Sequence, residues 1–111
     1  MTITKKSRQE RTLYYVCILD MQILNGGIYQ YFSNYGNSYN SEIIIALKTL
    51  NQIELASSFE EMCELTAKKF DEAEKSFKNF DNWYYSRNMQ KSMDMYLKEY
   101  IIKNLTVFQT N

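Results

Sequence analysis

The chain has no histidine among its 111 residues, which removes the commonest general base and the commonest metal ligand of proteins. A carboxylate metal site of the helical-bundle kind needs Glu-x-x-His pairs, and the sequence contains none. Its two cysteines, Cys17 and Cys63, lack CxxC spacing and are typical of buried, unpaired thiols in a reducing compartment. We therefore expect no metal, no cofactor and no enzymatic activity.

The chain also lacks proline, low-complexity tracts and any run of about 18 apolar residues that would span a membrane. Its basic N-terminus is not followed by the apolar region of a secretory signal. A chain of this length buries roughly 65% of the surface that its unfolded form exposes, which is enough for one core. The sequence predicts one compact cytoplasmic domain over 1–111, with frayed or extended tails at 1–6 and 105–111.

An excess of charge of either sign is missing as well, because 13 basic groups balance 13 acidic groups. A nucleic-acid binder needs a net basic surface, so direct contact with nucleic acid is not expected. The charge is nevertheless uneven, since residues 42–75 hold eight acidic and four basic groups. This acidic segment is a candidate partner-binding surface, and an ordinary solvated helix face accounts for the same pattern. Its acidic residues are Glu54, Glu60, Glu61, Glu64, Asp71, Glu72 and Glu74.

What the chain does contain is apolar residues at helical spacing along most of its length, which predicts an all-α fold of five to six helices. Ser7 and Glu10 have the spacing of a capping box, so the first helix covers about 8–24. Ser41 is expected to cap the third helix, although the run Ile43-Ile44-Ile45 also suits a strand. The remaining predicted helices are a short one from Ile28 to Gly36, one over about 54–70, and two along the apolar stripes from Ala73 to Tyr84 and from Met89 to Ile101.

All three glycines lie between Asn25 and Asn37, together with three tyrosines and no charged residue. The pair Gly26-Gly27 and the single Gly36 indicate two chain reversals around the short helix. The amides of this motif are expected to close backbone hydrogen bonds at the reversals, and the alternative is that they orient a small molecule in a pocket. The motif residues are Asn25, Gly26, Gly27, Tyr29, Gln30, Tyr31, Phe32 and Asn34.

Three aspartates are the acids least obviously placed on an outer face: Asp20, Asp81 and Asp94. A buried acid beside an amide-rich motif is one arrangement for acid–base chemistry. The commoner role of such an acid is to accept hydrogen bonds from a helix terminus or a tyrosine, and we expect that role here.

The ordered residues from Asn25 to Asn34 resemble the NGG-x-x-QYF-x-N signature of the DNA-mimic-protein-19-like family. Further resemblances follow in order at Ala46-Leu47, Ala56 and the segment Phe80-Asp81 with Tyr84-Tyr85, so the match covers about residues 10–104. Asn51 stands where that family usually has glycine, and asparagine tolerates the left-handed backbone that ends a helix. The resemblance implies an all-α domain and a protein that imitates DNA with an acidic surface to occupy a DNA-binding protein.

Mimicry of DNA needs a strongly negative surface, and the zero net charge weakens this role unless the acidic segment lies on one face. The first functional hypothesis is a bacterial or phage protein that inhibits or regulates a protein partner, such as a nucleic-acid-binding or defence protein. Tyrosine and tryptophan are enriched at interfaces, so Trp83, Tyr84 and Tyr85 are further partner-binding candidates, and the alternative is that most of the aromatic residues pack in the core. The alternatives are a small-molecule pocket at the glycine motif and a structural subunit that forms a homodimer.

Overall fold

A computed structural model describes residues 7–69 and 73–109, which form seven helices and no strand. The predicted all-α class is confirmed, and the chain folds as one compact globule. Six helices have eight residues or more, and a five-residue helix follows them. The helices are α1 (Arg8–Gly26), α2 (Ile28–Tyr35), α3 (Asn40–Thr49), α4 (Ile53–Lys69), α5 (Glu74–Gln90), α6 (Met93–Lys103) and α7 (Leu105–Gln109).

Helix α1 begins at the capping box that the sequence predicts. The Glu10 amide donates to the Ser7 hydroxyl at 3.0 Å, and the Ser7 amide donates to the Glu10 carboxylate at 2.8 Å. These two bonds satisfy backbone donors that have no partner within the helix. At its other end α1 continues to Gly26, where the Gly27 amide still donates to the Ile23 carbonyl at 2.8 Å.

Helix α3 is a helix, as predicted, but the predicted cap at Ser41 is wrong. The cap position is Tyr39, two residues earlier, so the helix begins at Asn40, and no side chain caps it. Asn40 instead accepts a hydrogen bond from the Tyr31 hydroxyl at 2.9 Å, so its position is set by a tertiary contact with α2. The helix is followed by Asn51, which has a φ of 62° and therefore takes the left-handed role expected of it.

The C-terminal tail differs from its prediction. Residues 105–109 form α7 rather than an extended or frayed segment, and Phe108 packs its ring against Tyr100 of α6 with 6.4 Å between ring centroids. At five residues, α7 is too short to show a repeating apolar pattern, so periodicity could not predict it. The predictions for residues 1–6, 70–72, 110 and 111 lie outside the described residues, and Asp71 and Glu72 are among them.

Aromatic rings fill the centre of the core. Tyr31 and Phe32 of α2 meet Phe59 of α4, and Phe32 also stacks on Phe77 of α5. These contacts join three helices through one short element. Other fully buried aliphatic side chains come from four helices: Val16, Leu19, Ile23, Ile28, Ile43, Leu47 and Leu55.

The two cysteines are unpaired and only partly buried. Burial, with smaller contributions from Glu60 and Glu64, raises the pKa of Cys63 to about 12. Burial first, and then Asp20 and Asp94, raise the pKa of Cys17. Both sulfurs are therefore held as thiols rather than as reactive thiolates.

Within the described ranges, no helix is both long enough and apolar enough to cross a bilayer.

Candidate functional site

The glycine motif forms a joint between α1 and α2 that is one residue long. Gly27 ends α1 and precedes α2 with a φ of 83°, a conformation that side chains with a Cβ rarely adopt. The amide of Ile28, the first residue of α2, donates to Asp81 of α5 at 2.8 Å. A Cβ on Gly27 would lie 2.3 Å from the other Asp81 oxygen, so the carboxylate reaches α2 only because this residue is glycine.

The side-chain amides of Gln30 and Asn34 donate to a side chain of α1 rather than to the backbone at the reversals, so the prediction is wrong for these two residues. The side-chain amide of Gln30 donates to Oε1 of Gln22 at 3.3 Å, and the side-chain amide of Asn34 donates to the same Oε1 at 2.7 Å. Gln22 lies on α1 and carries no signal in the sequence that would single it out. The two amides therefore hold α2 against α1 through one shared acceptor.

Two of the three aromatic side chains of the motif are part of the core rather than the wall of a ligand pocket. Tyr31 is fully buried, Phe32 is buried, and their rings contact those of Phe59 and Phe77. Tyr29 remains 53% exposed at the surface. The small-molecule hypothesis loses its aromatic lining, because side chains of the protein already occupy those ring faces.

Two of the three singled-out aspartates have the structural role expected of them. Asp81 accepts from a helix terminus, and Asp20 accepts from the Tyr84 hydroxyl and from Asn88. Burial raises the pKa of both carboxyls, and these hydrogen bonds partly oppose the rise. Asp94 is different, because it is exposed and pairs with Lys98 at 3.3 Å, so its predicted inner position is wrong.

The aromatic run on α5 does not form a single exposed surface. Tyr84 is fully buried, so its prediction as a partner-binding residue is wrong. It continues the apolar stripe of Phe77 and Phe80, which faces the core. Trp83 is half-buried, and Tyr85 is 37% exposed with its hydroxyl donating to the Ile23 carbonyl at 3.0 Å.

The acidic residues of α4 lie on the side of the helix opposite the core. At about 100° per residue, the four carboxylates fall within about 120° of the circumference. Leu55, Ala56 and Phe59 occupy the buried side. No lysine or arginine occurs between Lys48 and Lys68, and Lys68 itself is exposed on the same side of α4, one turn after Glu64. We call this surface the acidic face, and its members Glu54, Glu60, Glu61 and Glu64 are all exposed.

A groove of about 330 Å³ separates α4 from α5 beside the acidic face. It brings together the two regions that the sequence singled out separately, the acidic helix and Trp83. The residues that line the groove recur every three or four positions along one side of each helix. This spacing is the sequence signal that could have grouped them. We call it the α4–α5 groove; two serines and Glu54, Glu61, Met62, Asn79, Phe80 and Trp83 line it.

A second cleft, of about 360 Å³, lies between α1 and α3. Arg8, Arg11 and Glu42 contribute charges of both signs to it. It therefore offers no surface of one charge comparable to the acidic face.

The compact helical fold, the acidic face and the neighbouring groove are typical of a small protein-interaction domain. The family model described as DMP19-like protein matches residues 5–104, and the chain belongs to this family. The family expected from the Asn25 to Asn34 resemblance is thus confirmed. Membership indicates a protein of DNA-mimic type, one that binds a protein partner. No curated protein and no solved structure gives a significant match to the chain.

Proposed function

We propose that this protein is a non-enzymatic binding protein that presents its acidic face to a basic, nucleic-acid-binding partner and thereby inhibits or regulates it. The observation that supports this most strongly is the placement of four carboxylates on one exposed side of α4. The roles of Asp20 and Asp81 support the non-enzymatic part, because both carboxylates are engaged in hydrogen bonds that join helices.

The charge density of the acidic face supports mimicry of a nucleic-acid strand. Glu54 and Glu64 are separated by about 15 Å along the helix axis, at about 1.5 Å per residue. Four charges over this length correspond to one per about 4–5 Å, against one phosphate per about 3.4 Å along one strand of DNA. A partner with lysines and arginines arranged for phosphates therefore meets a similar number of negative charges.

The zero net charge of the chain is compatible with this role, because binding depends on the local surface. Charges further apart than the Debye length, about 8–10 Å at physiological salt, are largely screened from one another. The basic residues that balance the acids include Arg8 on α1 and Lys98 and Lys103 on α6, which are exposed on other helices. On α4 itself, Lys68 lies one turn after Glu64 and offsets one charge, whereas the other three carboxylates of the acidic face have no basic residue three or four positions away on the helix.

The proposal is tested by immobilising the protein, passing bacterial lysate over it and eluting in two ways. One eluent is duplex DNA, and the other is sodium chloride of matched ionic strength. We expect a retained nucleic-acid-binding protein that DNA releases and the matched salt does not, since DNA competes for the same basic surface.

Two baits of equal net charge provide the control. The first is a triple variant of the acidic face, Glu60→Gln with Glu61→Gln and Glu64→Gln. The second is a triple variant on other helices, Glu42→Gln with Asp94→Asn and Glu99→Gln. The first should bind the partner about tenfold more weakly, since three exposed charges contribute about 0.5 kcal/mol each. Equal loss with both baits, or a partner that DNA does not displace, would contradict the proposal.

A further inference from the structure

The geometry points to the α4–α5 groove as a subsite for one arginine side chain of the basic partner. The class of partner is taken from the proposed function, on which this inference rests. The inference adds the residue type of the partner that is bound and the place on this protein where it binds. The acidic face attracts any basic surface, whereas a groove of defined shape selects among cations.

The charge of the groove suits a single cation. Glu54 and Glu61 lie two helical turns apart on the same side of α4, and both contribute to its lining. The lining includes no lysine or arginine among the described residues. Its volume, about 330 Å³, is at the lower end of the roughly 300–1,000 Å³ of ligand pockets, which suits one long side chain better than a whole peptide.

The aromatic side of the groove suits a planar cation. Phe80 and Trp83 lie 5.9 Å apart between ring centroids and both contribute to the lining. The ring of Trp83 already accepts one guanidinium, because the Arg87 Cζ lies over it at 5.2 Å while the same guanidinium donates to Gln52. Arg87 does not line the groove, so an arginine of the partner would stack on the part of the indole that Arg87 leaves uncovered.

These two features together favour arginine over lysine. A guanidinium stacks flat on an aromatic ring while its in-plane N–H groups donate to carboxylates, whereas an ammonium is a compact, strongly hydrated charge. The groove offers a ring on the α5 side and carboxylates on the α4 side. An arginine inserted between the helices thus meets both kinds of partner with one planar group.

Trp83 is the sole tryptophan of the chain, so tryptophan emission reports on this groove directly. The probes are three capped heptapeptides that carry flanking lysines and differ only in a central arginine, lysine or citrulline. We expect the arginine peptide to change Trp83 emission saturably at low salt and to bind about fivefold more tightly than the lysine peptide of equal charge. The citrulline peptide, which keeps the planar shape without the charge, should bind more weakly than both.

Two double variants separate the groove from the acidic face in general. Glu54→Gln with Glu61→Gln removes the groove carboxylates, and Glu60→Gln with Glu64→Gln removes the same charge from the rest of the face. Fluorescence anisotropy of labelled peptide should show about tenfold weaker arginine binding for the first and about twofold for the second. Trp83→Leu should abolish the preference for arginine, with circular dichroism checking that the variant is folded.

Equal binding of the arginine and lysine peptides with unchanged Trp83 emission would overturn the subsite and leave the proposed function standing. Equal weakening by the two double variants would do the same. Absence of binding by every peptide at low salt would overturn the subsite together with the acidic-face proposal. Arginine-selective binding combined with a partner that DNA fails to displace would support the subsite and contradict DNA mimicry.

Discussion

Single residues decide how α2 is attached, and Gly27 is the clearest case. Its φ of 83° and the position of Asp81 leave no room for a Cβ. Gly36 has a similar constraint on φ, at 57°, but open space around it. Substitutions at the two glycines therefore distinguish the cost of backbone strain from the cost of a steric clash.

We predict that Gly27→Ala destabilises the fold more than Gly36→Ala. Gly36→Ala should cost about 1–3 kcal/mol for the unfavourable backbone alone. Gly27→Ala should cost about 1–3 kcal/mol more, because the new methyl group would displace the Asp81 carboxylate. Urea unfolding measures both, and equal losses would show that Asp81 moves aside without penalty.

Asp81 gives the second prediction at this scale, which concerns pH. Burial raises its pKa in the folded state above the ordinary 3.8, although the Ile28 amide partly opposes this. As pH rises through the window from 3.8 to the raised value, the unfolded chain loses its proton first. The free energy of unfolding contributed by this group therefore falls with rising pH.

Asp81→Asn removes the titration while keeping an oxygen that accepts from Ile28. We predict that the stability of the variant relative to the native chain increases as pH rises from about 3.5 to 7. Thermal unfolding of both proteins across this range measures the difference. A difference that shrinks with rising pH would mean that the α2 N-terminus outweighs burial.

Residue contacts were also the part of the site that the sequence predicted least well. Gln22 was missed because a shared acceptor for Gln30 and Asn34 arises only when α2 folds back on α1. Tyr84 was predicted both in an apolar stripe and in an exposed aromatic run, and the stripe was right. Periodicity describes which side of a helix is buried, whereas residue type alone does not.

At the scale of elements, helix ends with local causes were predictable. The capping box at Ser7 and the left-handed Asn51 are set by their own sequence, and both predictions are confirmed. At the start of α3, Asn40 bonds to Tyr31 of α2, and α7 packs its Phe108 against Tyr100 of α6, so both involve contacts with other helices. These boundaries could not follow from local signals.

One side chain of α5 holds the first turn of α6 by a hydrogen bond, in addition to the packing of Met93 and Leu97 in the core. The Asn88 oxygen accepts from the Met93 amide at 3.2 Å, at the first turn of α6, and Asn88 also bonds to Asp20 of α1. Ser92 caps the same turn by accepting from Met95 at 3.3 Å. Asn88 therefore joins three helices where Ser92 serves only one.

We predict that Asn88→Ala loosens α6 and α7 before the rest of the fold. The lost bonds should cost about 1–3 kcal/mol, against about 1 kcal/mol for the cap variant Ser92→Ala. Hydrogen exchange should rise in 93–109 while α3 and α4 stay protected. Uniform loss of protection along the chain would show that α6 does not open as a separate unit.

At the scale of the whole molecule, the acidic face that we propose for partner binding lowers the stability of the fold. Glu60 and Glu64 are one turn apart on α4, and like charges at this spacing destabilise a helix by about 0.2–0.5 kcal/mol. An opposite charge at position 60 would turn this repulsion into attraction.

We predict that Glu60→Lys stabilises the fold by about 0.5 kcal/mol and weakens partner capture. Urea unfolding at low salt measures the first effect, and retention of the DNA-displaceable partner measures the second. Glu42→Lys changes the net charge equally on α3 and should leave capture unchanged. A stabilised Glu60→Lys that captures the partner as well as the native chain would separate the acidic face from binding.

The balance of 13 basic and 13 acidic groups has a kinetic consequence for the encounter with a partner. A molecule without net charge exerts little long-range attraction, so orientation of the two proteins begins only within about one Debye length of α4. Association should then proceed at the ordinary rate of about 10⁵–10⁶ M⁻¹s⁻¹ rather than the rate of electrostatically steered pairs. The lifetime of the complex would be determined by the short-range contacts on and beside α4.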